Sequence, residues 1–188
     1  MAETFLIGAL APNDAAAVRR LAASLRRWFS PADLRAIDAL LKENAVGWVA
    51  HDRAEDDKHK HMLVGFLLTA PTADPLVREV AWMGVDESWQ GRGVGTALLD
   101  RAVASAAADG MRELEVSTVA ASAGYAPYEA TRAFYHARGF VDRRTDRDYY
   151  WPGGDRLLLR RIIAGDQMDA VVGHGDGTGL QGASHDGD

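Results

Sequence analysis

The chain contains no cysteine. That excludes disulfides, thiolate metal sites and any mechanism with a cysteine nucleophile, although it leaves the redox compartment undecided. Long apolar runs are missing too: the longest, at 62–70, falls far short of the ~20 residues a bilayer span needs. No basic stretch followed by an apolar core stands at Met1-Ala2-Glu3-Thr4, so no secretion signal is expected and a cytoplasmic location is the default. A strong charge of one sign is absent from most of the chain. The formal net charge is −6, yet Asp166, Asp169, Asp176, Asp186 and Asp188 lie in a tail without Lys or Arg, which leaves −1 elsewhere. Neither an acidic field for steering cations nor a basic nucleic-acid surface is therefore expected. Arg19, Arg20, Arg26 and Arg27 read as the solvated face of an early helix.

What is present describes one globular domain. At 188 residues and 47% hydrophobic, the chain is long and apolar enough to bury a core. The boundary falls at 1–163, followed at 164–188 by a Gly- and Asp-rich tail with too little to bury to fold. Strands are expected at 4–10, 45–50, 62–70, 76–85, 113–119, 140–144 and 156–163. A first helix begins after Asn13 or Asp14, with Val18, Leu21, Leu25 and Trp28 on its apolar stripe. Ser30-Pro31-Ala32-Asp33 starts a second, by a serine cap, an early proline and an acid three residues on. Helices follow at 94–109 and 128–138, stopped by Gly110 and Gly139. The segment 51–61 is too polar for a core and reads as an exposed hairpin loop. His59 and His61 there lack a third ligand at fixed spacing, so no metal site is expected.

The most informative stretch runs from Val80 to Leu99: a buried strand, a short polar turn, glycines at 91, 93 and 95, then an amphipathic helix. Unpaired N–H groups and the positive dipole end of that helix make an anion site, favouring phosphate. The dinucleotide pattern G-x-G-x-x-G fails, because its sixth position is Thr96 counted from Gly91 and Leu98 counted from Gly93. An NTP loop would need a lysine that is absent here.

The spacing that fits is Gln90-x-x-Gly93-x-Gly95, five residues after Val85. It resembles the acetyl-CoA signature of the GNAT N-acetyltransferase superfamily. A second stretch, Ala133-Phe134-Tyr135-His136-Ala137-Arg138-Gly139-Phe140 and its lead-in from Thr131, is similar to that superfamily's F-Y-x-x-x-G-F segment. The resemblance spans 45–163 and implies an α/β (mixed α+β) fold. A single domain would carry a mixed sheet of about six or seven strands with a splayed parallel pair, flanked by about four helices. It further implies acetyl-CoA as acetyl donor, with pyrophosphate on the loop residues Gln90, Gly91, Arg92, Gly93, Val94, Gly95 and Thr96. The pantetheine arm would pair with the backbone of Met83, Gly84 and Val85, and Phe134 would pack beside the track. Gly84 is expected to mark a strand bulge, or else to relieve packing against a large neighbour such as Trp82.

An amine nucleophile must lose a proton, so a base is needed. Glu79, six residues before Val85, is the candidate, and relatives resembling this chain place a glutamate there. Its alternative is an ion pair with an arginine at the strand edge. Tyr135 stands at the family's general-acid tyrosine. Tyr128 stands where the family often has a cofactor-contacting asparagine, and that role does not transfer to it. Without cysteine, direct attack in a ternary complex is the expected route. The expected partners are acetyl-CoA and an amine acceptor, small molecule or protein, and the family's exposed terminal strands allow a homodimer. The rival reading is a regulatory domain that senses acetyl-CoA without transfer.

Overall fold

In the computed structural model the described residues are 5–43, 45–53 and 62–163. The central part of the charged loop, with His59 and His61, and the tail at 164–188 lie outside them. The elements in chain order are β1 (Phe5–Ala9), α1 (Ala15–Ser24), α2 (Pro31–Lys42), β2 (Val46–Asp52), β3 (Leu63–Pro71) and β4 (Val77–Val85). Then come α3 (Val94–Ala108), β5 (Glu113–Val119), α4 (Glu129–His136), β6 (Val141–Trp151) and β7 (Gly154–Ile162). The strands form one seven-stranded sheet in the order β1-β2-β3-β4-β5-β7-β6. All pairings are antiparallel except β4 with β5. No helix among the described residues is long and apolar enough to cross a membrane.

The sheet carries a core on each face. On one side α3 and α4 cover it, through Leu98, Leu99, Ala102, Ala106 and Tyr135 against Leu67, Leu114 and Leu159. On the other, α1 and α2 pack Val18, Leu21, Ala22 and Ile37 onto Val49, Phe66 and Leu68. β3 lies under both layers, which is why its sequence is an unbroken apolar run rather than an alternating one. The start of α2 follows its capping box: Ser30 Oγ accepts from the Asp33 N–H at 3.3 Å, and Asp33 accepts from the Ser30 N–H at 2.7 Å.

Three expectations are corrected. α1 ends at Ser24, so Trp28 is not on its stripe. The chain turns at Leu25, whose carbonyl accepts from the Trp28 and Phe29 N–H groups, and Phe29 is turned onto Phe66 and Trp82. β6 is far longer than 140–144. It is an edge strand with almost every residue exposed, so it shows no apolar alternation to read, and its charged residues blunt the open edge. The bulge in β4 is at Ala81, not Gly84: Thr69 pairs with Val80 and Leu68 with Trp82, while Gly84 pairs regularly with Phe66. The extra residue shifts the alternation, so that Val80 faces α3 whereas Trp82 faces α1.

Candidate functional site

The parallel pairing of β4 and β5 is short. It joins Val77, Arg78 and Glu79 to Glu113, Leu114 and Glu115, and then stops. Beyond Glu79 the strands separate: β4 stays with β3, and β5 stays with β7 to its end. The Ala81 bulge falls just past the last paired rung, where added twist drives the strands apart. A cleft through the sheet results, with Met83, Gly84 and Val85 along its β4 wall. Met83 and Val85 are half-buried against the α3 layer. Gly84 is there for a close approach: a Cβ would stand 2.7 Å from the Phe66 ring and 2.9 Å from Leu25. The packing explanation for this glycine therefore holds, with Phe66 and Leu25 in place of Trp82.

At the end of β4 the chain turns into the glycine loop. Asp86 accepts from the Ser88 N–H at 2.9 Å, and the Gln90 side chain donates to the Val85 carbonyl at 3.2 Å, tying the loop to the strand. Gly91 and Gly93 have φ of +74° and +88°, a left-handed backbone that only glycine adopts without strain. Arg92 is exposed, its guanidinium 5.2 Å from the centre of the Trp89 ring. Val94 is buried and starts α3. The first backbone bond into the helix runs from the Ala97 N–H to the Gly93 carbonyl, so the N–H groups of 91–96 have no backbone acceptor among the described residues. These donors converge at the positive end of a 15-residue helix, which fits a bound anion.

The second motif packs directly on the first. A Cβ on Gly95 would lie 3.3 Å from the Phe134 ring and 3.7 Å from Val85, so Phe134 wedges between the start of α3 and the end of β4. Arg138 completes the joint. Its guanidinium lies 3.9 Å from the centre of the Phe134 ring, donates to the Phe134 carbonyl at 3.1 Å and donates to Thr96 Oγ1 at 3.2 Å. The F-Y-x-x-x-G-F spacing is legible as this brace.

Glu79 and Tyr135 lie on opposite sides of the sheet. Tyr135 is 4% exposed in the α3 and α4 layer, its ring edge-on to Phe134 and Phe140. Burial pushes its hydroxyl well above the usual tyrosine range. Glu79 faces the α1 and α2 side, beside Glu115. Desolvation raises its pKa first and the Glu115 charge adds to this, while Arg156 opposes. No ion pair to Glu79 forms among the described residues: Arg156 is held by Asp146, and Arg160 by Glu113 and Glu115 at 3.0 and 2.7 Å. On the β5 wall, Thr118 Oγ1 is the one buried side-chain polar atom among the described residues with no hydrogen-bond partner.

Tyr128 is committed elsewhere. Its hydroxyl donates to the Trp28 carbonyl at 2.7 Å, and Tyr125 donates to the Arg27 carbonyl at 3.2 Å, which anchors 125–128 to the α1–α2 link. Burial, then Asp33 and Tyr125, push the Tyr128 pKa up to about 12. Three groups escaped the sequence reading: Arg138, the Glu115–Arg160 pair, and the run Tyr149-Tyr150-Trp151 at the end of β6. Only the last left a signal, three consecutive aromatics before a Pro-Gly turn. A surface depression between α1 and α2, lined by Arg19, Leu34 and Asp38 among others, includes no residue of β4 or the glycine loop.

Comparison with known proteins agrees with this geometry. Residues 43–142 match the family model described as an acetyltransferase (GNAT) domain, which takes in the glycine loop, α4 and Glu79. Among solved structures, a GNAT-family protein from Desulfovibrio desulfuricans is similar at 26% identity and a TM-score of 0.73, covering 85% of this chain and 99% of its own. An IAA acetyltransferase from Bacillus cereus shares the fold at 24% identity and TM-score 0.63, covering 85% and 99%. So does NAA60 of Arabidopsis thaliana in complex with acetyl-CoA, at 18% identity and TM-score 0.67, again covering 85% and 99%. No curated protein matches the chain.

Proposed function

The chain belongs to the GNAT acetyltransferase family, and from that premise we propose that it acetylates a primary amine by direct attack in a ternary complex, with Glu79 as base and Tyr135 at the leaving sulfur. The observation that carries this reading is the placement of Glu79, a carboxylate without an ion pair among the described residues, on the last rung before β4 and β5 separate. The family uses acetyl-CoA, and the residues present fit it. Among the described residues the N–H groups of 91–96 have no backbone acceptor and suit a pyrophosphate, and the Thr118 hydroxyl on the β5 wall has no partner and suits a polar guest. Gln90, Gly91, Arg92, Gly93, Val94, Gly95 and Thr96 would hold the phosphates, and the Met83–Val85 backbone with Phe134 would flank the arm.

Acetyl-CoA supplies an acetyl thioester, whose C–S bond breaks as the new C–N bond forms. The acceptor arrives as an ammonium, with a pKa of ~10.4 if lysine-like, so freeing its lone pair at neutral pH costs about 5 kcal/mol. Glu79 takes that first proton, directly or through a water, and passes it to solvent. Its raised pKa makes it a stronger base than an ordinary glutamate. The second amine proton leaves with the sulfur as free thiol. Burial lifts the Tyr135 hydroxyl far above a thiol of pKa ~8.5, so giving up its proton outright is uphill. Tyr135 therefore acts as a hydrogen-bond donor at the sulfur rather than as a full acid, a narrower role than the motif implies.

The test is amine-dependent thiol release from acetyl-CoA. A thiol reagent reads only the product, because the protein has no cysteine of its own. Release that depends on both the amine and Glu79 supports the reading. Tight acetyl-CoA binding with no release for any amine would instead make this a sensing domain.

A further inference from the structure

Resting on the transfer reading above, we propose that the acceptor is an arylalkylamine, a single primary amine on a short alkyl chain attached to a flat ring. The ring would be held by an aromatic wall formed by Tyr125, Tyr128, Tyr149, Tyr150 and Trp151. The wall comes from two distant segments and is continuous. Centroid distances are 5.9 Å for Tyr125–Tyr128, 6.1 Å for Tyr125–Trp151, 5.9 Å for Tyr150–Trp151 and 5.0 Å for Tyr149–Tyr150. Arg156 links it to the base: its guanidinium lies 3.9 Å from the centre of the Tyr149 ring, and its charge acts on Glu79.

Three features select the acceptor. Tyr149, Tyr150 and Trp151 are 54%, 41% and 44% exposed, whereas Phe66, Phe140 and Tyr135 are buried, and an exposed aromatic group of this kind marks a binding surface. The Tyr125 and Tyr128 hydroxyls are spent on backbone carbonyls, so both rings are fixed and contribute π-surface rather than polar ends. Trp151 is seated in turn on Gly154, where a Cβ would run into its indole.

The third feature is the charge balance. Asp146 pairs with Arg144 and Arg156, while Glu113 and Glu115 pair with Arg160. Asp33 caps α2, and Asp148 and Asp155 accept from backbone N–H groups of the β6–β7 hairpin. Of these carboxylates and Glu79, only Glu79 has neither an ion pair nor a hydrogen bond among the described residues. A second cation, as on a diamine, would meet the Arg156 charge that already acts on Glu79. One carboxylate and a wall of rings match one amine and one ring.

The experiment compares kcat/KM for tryptamine and 2-phenylethylamine with 1,4-diaminobutane and a lysine-containing tripeptide, at saturating acetyl-CoA. Both arylalkylamines are expected to exceed the other two by about tenfold or more. Trp151→Ala should raise the KM for tryptamine about tenfold while leaving the KM for acetyl-CoA unchanged. Trp151→Leu, which keeps an apolar cover over Gly154, should give the same split if the hairpin tolerates alanine poorly. Equal or better turnover of the diamine or peptide would overturn the acceptor class and leave the transfer reading standing. A uniform loss with every amine in both Trp151 variants would overturn the role of the wall. Absence of thiol release with any amine would overturn both readings.

Discussion

Replacing Glu79 by glutamine removes the carboxylate and keeps its shape, and the two readings of this residue move stability in opposite directions. Burial and the neighbouring Glu115 raise the folded-state pKa above that of the unfolded chain. Below the ordinary glutamate pKa of ~4.3 the group is neutral in both states and contributes nothing. As pH rises, the unfolded chain ionises first and a cost to folding accrues, complete once pH passes the raised folded value. Glu79→Gln should therefore raise the Tm at pH 8, and the advantage should vanish near pH 4; each 1 kcal/mol recovered shifts the Tm of a chain this size by about 2–4 °C. Activity should go the other way. A positioned base contributes about 10²–10⁴-fold, so kcat/KM should fall by that order at neutral pH, with acetyl-CoA affinity nearly intact. The acidic limb of the wild-type pH profile, displaced upward from an ordinary glutamate, should be lost. Thermal denaturation against pH, beside thiol release against pH, reads both effects. A lower Tm at pH 8 would mean that Glu79 belongs to a stabilising ion pair after all, and unchanged turnover across the pH range would remove it as the base.

Other expected outcomes follow from single contacts. Tyr135→Phe should keep the fold and the KM for acetyl-CoA and lower kcat, because only the hydrogen bond offered to the sulfur is lost; unaltered kcat would exclude that role. Gly84→Ala drives a Cβ into Phe66 and Leu25 and should cost about 1–3 kcal/mol, seen as a lower Tm. If instead Tm holds and acetyl-CoA binding weakens, this glycine serves the cofactor rather than the core. Gly93→Ala places a side chain at φ +88° and should cost about 1–2 kcal/mol, weakening acetyl-CoA binding in calorimetry more than it alters the amine KM. Tyr128→Phe removes the bond to the Trp28 carbonyl and should lower stability by about 1 kcal/mol without changing the KM for acetyl-CoA; a change there would restore a cofactor role to this position.

What could be read in advance was whatever local chemistry dictates. The glycine loop is legible because left-handed backbone and free N–H groups demand glycine at 91 and 93. The capping box of α2 is legible because its two bonds span only three residues. The run of β3 reveals a strand buried on both faces. Elements whose stability comes from distant partners could not be read that way. Among the described residues β6 pairs only with β7 and is exposed along almost its whole length, so its charged residues carry no apolar periodicity. The extent of α1 was overruled by the packing of Leu25 beside Gly84 and of Phe29 against Trp82.

The site divides along the same line. The Gln90-to-Thr96 loop and Glu79 could be proposed from residue type and spacing, because an anion cradle and a lone acid in an apolar strand are local patterns, whereas the Phe134–Tyr135 pair is implied by the family resemblance alone. Which carboxylate stays unpaired was decided by the fold, since register alone sets Glu115 against Arg160 and leaves Glu79 beside the opening. The opening itself depends on an extra residue at Ala81 that changes the side a side chain faces, a choice made by packing on both layers. The aromatic wall exists only because residues 125–128 and 149–151 meet across the end of the sheet. Sequence by itself determined the glycine loop proposed as the donor's cradle, built from consecutive residues; tertiary structure decided what surrounds the proposed acceptor site, because side chains far apart in the chain must converge to make it.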